Sequence, residues 1–205
     1  MPAYKLTYFN GRGSAEIVRL VFAAGGIEYE DVRLERDQWP DLKPSEPHTP
    51  MGQVPILEVD GTMLCQSNSI ARYVAKQAGL AGKTPLEQAR VDMIMDGMEE
   101  MGSKGYAAYF EKNEDIKAER TKEYEDTFLP QFFTFLNKLV GDSGHFVGSE
   151  LTLADITFFN MATLVGTWMK VPNVDEFSGL KKVMNHVTSN PGIAKWLKER
   201  PETPF

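Results

Sequence analysis

Strand-like alternation and helical spacing take turns over the first part of the chain, and helical spacing alone fills the rest. Lys5-Leu6-Thr7-Tyr8-Phe9 alternates apolar and polar positions, and Asn10-Gly11-Arg12-Gly13 breaks the pattern with turn residues. From Ser14 the period lengthens. Ile17, Val18, Leu20, Val21 and Phe22 recur at helical spacing, and Gly25-Gly26 closes the run. Tyr29 to Leu34 reads as a second strand. Val54 to Val59 and Thr62 to Cys65 flank Asp60-Gly61, a strong two-residue hairpin signal. Ser67 is expected to N-cap a helix that runs through Ile70, Tyr73 and Val74.

This order predicts a right-handed βαβ unit with parallel pairing, followed by an antiparallel hairpin and a helix. It is the order of a thioredoxin-like domain. Gly and Pro crowd residues 79–85, so the domains are expected at 1–79 and 85–205, joined by a linker at 80–84. The second domain is expected to be all-helical. Val91, Ile94, Met95, Met98 and Met101 form one apolar stripe. Phe128, Phe132, Phe135, Leu136 and Leu139 form another, on a helix that Pro130 should kink. Thr152-Leu153-Ala154-Asp155 has the form of a capping box, and shorter helices are expected near 178–188 and 192–199. The fold class is therefore α/β plus all-α.

Composition narrows the function. The 205 residues are 42% apolar and 25% charged, as in ordinary globular proteins. Twenty-two Lys and Arg against 29 Asp and Glu leave a net charge of -7, which repels phosphate backbones and argues against nucleic-acid binding. No stretch approaches the roughly 18 apolar residues a membrane helix needs, and no signal-like segment opens the chain. The single Cys65 fits a reducing cytosol. His48, His145 and His186 are scattered, and no zinc-type site is expected.

Three stretches carry candidate chemistry. Tyr8 ends the first strand beside a helix start, where open α/β sheets place their sites. Its phenol could donate to a bound thiolate and lower that thiol's pKa, or it could simply pack. In Gly52-Gln53-Val54-Pro55 the proline opens a strand. A cis Val54-Pro55 bond would turn the Val54 backbone outward to pair with an extended peptide, and a plain loop boundary is equally open. Gln66-Ser67 offers an amide, a hydroxyl and helix-terminal N–H groups to a carboxylate, or a simple N-cap.

Tyr4 to Asn10, Gly52 to Gly61, Gln66-Ser67 with Ile70 to Tyr73, Leu80 to Thr84, Val91-Asp92, Leu151 to Asp155 and the ending Arg200 to Phe205 together resemble sigma-class cytosolic glutathione transferases over essentially the whole chain. The ending resembles invertebrate members, and vertebrate prostaglandin D synthases are related more distantly. The resemblance implies a transferase that conjugates the thiolate of its co-substrate glutathione to small hydrophobic electrophiles. Tyr8 then matches the catalytic tyrosine at the glutathione sulfur. Trp39 and Lys43 match the grip on the glycine carboxylate, and Gly52, Gln53, Val54 and cis Pro55 match the segment that binds the central peptide. Gln66 and Ser67 match the grip on the γ-glutamyl end. Thr152 and Asp155 match a folding element.

From pattern alone, Asp92, Asp96, Glu99 and Glu100 form a solvated helix face. The resemblance implies that this face meets a second copy in a homodimer and that the position of Glu100 approaches the glutathione amino group across it. The electrophile is expected between the domains, against helices rich in Met, Phe and Tyr such as the one with Met98, Met101, Gly105 and Tyr106. Ser14 stands where relatives of prostaglandin D synthase usually carry arginine, which weakens an isomerase reading. The Pro44–Pro50 loop is longer than usual, and Met51 replaces a commoner aromatic. Cys65 is expected to be a small buried strand residue. The short connection near Glu111 to Lys117 argues against a crystallin-like, non-catalytic protein.

Overall fold

The computed structural model describes residues 3–42 and 49–203, of 41 and 42 the backbone only. Contacts divide the chain into two units, Met1–Leu80 with Pro191–Phe205, and Ala81–Asn190.

The first unit holds β1 (Tyr4–Phe9), α1 (Glu16–Gly25), β2 (Glu30–Leu34), the short α2 (Trp39–Leu42), β3 (Ile56–Val59), β4 (Thr62–Cys65) and α3 (Ser67–Gln77). Its sheet runs β2-β1-β3-β4. β1 and β2 are parallel with Tyr8 opposite Arg33, β1 and β3 antiparallel with Leu6 opposite Leu57, and β3 and β4 antiparallel with Val59 opposite Thr62. The predicted βαβ unit and hairpin both form. Asp60 and Gly61 have φ of 48° and 84°, the doubly positive turn whose twist matches the strands it joins. Alternation sets the burial: Tyr4, Leu6 and Leu57 are buried with Val18, Phe22, Ile70 and Val74 of the helices. Each fully buried Leu, Val or Ile contributes roughly 1.5–3 kcal/mol. Tyr4 meets Phe22 at 5.4 Å, and Phe22 stacks on Tyr29 at 4.3 Å.

The last helix of the chain, α9 (Pro191–Glu199), groups by its contacts with this first unit and packs on α1. The cause is chemical as well as apolar. Ile193 is buried, and Trp196 Nε1 and Arg200 Nη1 both donate to Glu16 Oε1, at 2.9 and 2.7 Å. Glu16 is itself only 2% exposed.

The second unit contains α4 (Pro85–Tyr109), α5 (Glu114–Glu123), α6 (Leu129–Leu139), α7 (Leu153–Val165) and α8 (Ser178–Ser189). The α4 stripe from Val91 to Met101 is buried as expected. The α6 stripe is out of phase with its expectation: Leu129, Phe133 and Leu136 are buried while Phe135 and Leu139 are exposed. A π-helical turn, Tyr124–Phe128, joins α5 to α6. Pro130 lies just after this turn, inside a helical run that continues from α5 into α6 without a cap, so its missing N–H leaves a carbonyl of the preceding turn without its helical donor. α7 is apolar almost all round and buried along its length. At its start, the fully buried Asp155 accepts from Thr152 N–H and Phe146 N–H, at 2.8 and 2.9 Å, and from the Thr152 hydroxyl at 3.0 Å.

Candidate active site

Tyr8 leaves β1 on the face that Leu6 shares, and its hydroxyl is met by the turn that begins α1. The Ser14 backbone N–H donates to Tyr8 Oη at 3.2 Å. The turn is this close because residue 13 lacks a side chain. Gly13 has φ +40°, and a Cβ there would lie 2.5 Å from the Tyr8 hydroxyl. The phenol oxygen thus accepts a bond from the protein, and its own proton is left to donate.

The turn is held from beneath by buried charge. Arg19, wholly buried, donates from Nη1 to Gly11 O at 2.6 Å and from Nε to Asp31 Oδ1 at 3.1 Å. Asp31 also accepts from Arg33 Nε at 2.9 Å, and Arg33 Nη1 reaches Asn10 Oδ1 at 3.3 Å. Glu16, Arg19, Asp31 and Arg33 had no place among the sequence candidates. The signal that could have found two of them is plain afterwards: Glu16 and Arg19 are charges set in a helix whose flanking positions, Ala15 to Phe22, are apolar.

A hollow at the carboxyl ends of β1 and β2 is lined by Tyr8, Phe9, Asn10, Gly11, Leu34, Glu35, Arg36 and Trp39. Tyr8 and Trp39 therefore share one concavity, with the Trp39 ring edge-on to Phe9 at 5.7 Å. Lys43 lies outside the described residues, as does His48. Gly52 has φ +60° and donates its N–H to Thr49 O at 2.9 Å, which shapes the approach to β3. The Val54–Pro55 bond is cis. Gln53 and Gln66 come together, Gln66 Nε2 donating to Gln53 Oε1 at 3.2 Å. Gln66, and not Ser67, is the N-cap of α3; it has φ 72°, and Ser67 is the first helical residue. A positive φ on a non-glycine residue costs about 1–3 kcal/mol and gathers at ligand sites.

Glu100 lies in the second unit, exposed on α4 and 3.5 Å from Lys104. In the same unit Tyr106, Tyr109, Phe110 and Trp168 form an aromatic cluster. Tyr106 stacks on Trp168 at 5.1 Å, Tyr109 meets it at 5.2 Å, and Phe110 is 69% exposed. Met98 and Met101, on the helix expected to wall the electrophile site, are fully buried core residues. Trp168, absent from the sequence candidates, comes within 2.9 Å of where a Cβ on Gly105 would stand. Cys65 is partly exposed at the end of β4, not buried as expected, because its strand is at the sheet edge. Among the described residues no group of three or more His, Cys, Asp or Glu is placed to hold a metal ion, and no helix is long and apolar enough to cross a membrane.

A βαβ-plus-hairpin unit with a tyrosine at the end of its first strand and a cis proline before its third, followed by an all-helical unit, defines the glutathione transferase fold. The sequence comparisons agree. Residues 4–76 match the family model for the glutathione S-transferase N-terminal domain, and residues 99–200 that for the C-terminal domain. Hematopoietic prostaglandin D synthase of Gallus gallus is 42% identical, with 99% of each chain covered. Glutathione S-transferase 1 of Ascaris suum is 42% identical over the full length of both. Among solved structures, monomeric Na-GST-3, a glutathione S-transferase of the hookworm Necator americanus, is 40% identical with a TM-score of 0.82, covering 99% of this chain and 100% of its own. The chain belongs to the glutathione S-transferase family.

Proposed function

We propose that this protein is a sigma-like glutathione transferase of the cytoplasm that attaches the glutathione thiolate to small hydrophobic electrophiles. One observation carries the catalytic assignment: Tyr8 Oη accepts the Ser14 N–H, so the remaining phenol proton points its hydrogen bond at a sulfur anion. A hydrogen bond to the charged form favours it, and each unit of thiol pKa depression corresponds to about 1.4 kcal/mol. The thiolate then attacks the electrophilic carbon, forming the S–C bond as the leaving group departs with the bonding pair.

Trp39 and Lys43 are assigned to the glycine carboxylate. Gly52, Gln53, Val54 and Pro55 are assigned to the peptide, and Gln66 and Ser67, at the N-terminus of α3, to the γ-glutamyl end. We assign the electrophile's apolar contacts to the ring cluster of Tyr106, Tyr109, Phe110 and Trp168, since flat aromatic walls bind by burial and tolerate many shapes. The unit of function is a homodimer in which Glu100 of the partner subunit meets the glutathione amino group.

The test is the absorbance of bound glutathione thiolate against pH in wild type and Tyr8→Phe. A thiol titrating well below the free value of about 8.5, with the depression lost in Tyr8→Phe, is the expected result. Glutathione bound with an unshifted thiol would return Tyr8 to a packing role. Sedimentation of the same preparation should give twice the chain mass; a single-chain mass would remove Glu100 from the site.

A second reading has one specific support, the 42% identity to a prostaglandin D synthase. It is an isomerase that uses glutathione without consuming it. Ser14 in place of an arginine opposes it, and product analysis with an endoperoxide decides.

A further inference from the structure

Arg19 has more contacts than a structural ion pair requires. It is wholly buried on α1. Asp31 accepts from its Nε at 3.1 Å, and Glu16 Oε2 lies 3.5 Å from its Nη1. Both carboxylates are shared, Asp31 with Arg33 and Glu16 with Arg200. The shortest bond of Arg19, 2.6 Å, goes to the neutral carbonyl of Gly11, with the Arg12 carbonyl at 3.5 Å from the same nitrogen. Both carbonyls belong to the turn whose next residues are Gly13 and Ser14. Trans peptide groups are planar with N–H opposite C=O, so drawing these two carbonyls inward turns the Arg12 and Gly13 amides outward. The guanidinium carbon sits 6.0 Å from the centre of the Tyr8 ring. The far end of the network is clamped by the chain's C-terminal segment, because Trp196 and Arg200 both donate to Glu16 Oε1.

We propose that Arg19 is a positioning residue for thiol activation: it holds the Gly11–Ser14 turn against the Tyr8 hydroxyl, and α9 keeps it in place through Glu16. The proposal rests on the reading of Tyr8 given above. It adds a residue that touches neither glutathione nor electrophile and that links the end of the chain to the chemistry at its beginning.

The test uses two substitutions that leave the charge unchanged, so that a shift reports geometry and not a lost ion. Arg19→Lys keeps the cation but cannot bond Gly11 and Asp31 from one rigid fork. Trp196→Phe removes one donor from Glu16. The readouts are the thiol pKa of bound glutathione and the Kd of S-methylglutathione, which has no ionisable sulfur and reports peptide binding alone. Arg19→Lys should raise the bound thiol pKa by about one unit, a tenfold loss of thiolate at pH values below it, with the S-methylglutathione Kd within about threefold of wild type. Trp196→Phe should shift the pKa the same way by about half a unit. An unchanged thiol pKa in folded Arg19→Lys overturns the proposal, as does a parallel loss of both quantities, which is what a merely structural role would produce. If Arg19→Lys does not fold, Trp196→Phe decides on the same criteria. Failure of the underlying reading shows separately, as an unshifted thiol in wild type.

Discussion

At the scale of single residues, the proposed site depends on one missing side chain as much as on one hydroxyl. Gly13 permits both the +40° φ and the close approach of the turn to Tyr8. Gly13→Ala introduces strain of about 1–2 kcal/mol and pushes its Cβ against the phenol oxygen. We expect a folded protein whose kcat/KM with an aryl halide falls at least about tenfold. Unchanged kinetics would mean that the Ser14 N–H bond to Tyr8 is incidental. Tyr8 could be picked from the sequence because it ends an alternating run just before turn residues. Arg19 could not be picked with it, since its role depends on a carbonyl eight residues away and a carboxylate on the next strand.

At the scale of elements, local signals were most legible where the bonding is local. The hairpin at Asp60-Gly61 and the box at Thr152-Asp155 both close within four residues, and both formed. Asp155 does more than cap its helix: it also accepts from Phe146, nine residues away in the preceding loop. Asp155→Ala leaves two N–H groups without their acceptor, at roughly 1–3 kcal/mol for each buried group left unsatisfied. Urea unfolding should show a loss of about 3 kcal/mol. A loss under about 1 kcal/mol would mean that water replaces the carboxylate. The α6 stripe was misread for the converse reason. Its aromatic run supports two phases, and the one that turns inward is set by the elements α6 packs against, α8 among them.

At the scale of the whole molecule, each unit holds a phenol, half-buried Tyr29 in one and buried Tyr124 in the other, whose ionisation the fold opposes. Tyr29 stacks on Phe22 in the first, and Tyr124 donates to Met101 O at 2.9 Å in the second. Burial raises both pKa values well above the usual 10. In the unfolded chain both ionise near pH 10, whereas the folded protein keeps them neutral. Stability from this source is therefore complete below about pH 10 and is lost as pH rises through the folded values. The slope is about 1.4 kcal/mol per pH unit for each phenol. Denaturant midpoints measured from pH 8 to pH 12 should stay level and then fall. Tyr124→Phe should be less stable at pH 8, having lost a hydrogen bond, but should show a shallower alkaline decline. An equal slope in the variant would remove Tyr124 from the account.

The sequence by itself determined what short-range stereochemistry determines: strand alternation, the hairpin, the capping box, the βαβ order and the α4 stripe. Together with the resemblance, it also named the tyrosine and the loops of the proposed site. Only the tertiary structure decided which buried charges find each other, which phase of α6 turns inward, and that the last helix packs on α1. The first and last of these turn on Glu16, Arg19, Asp31, Trp196 and Arg200, whose partners lie as far as 184 positions away. Burial multiplies the strength of such bonds and the cost of leaving them unmade, and burial is a property of the folded chain that no local pattern contains.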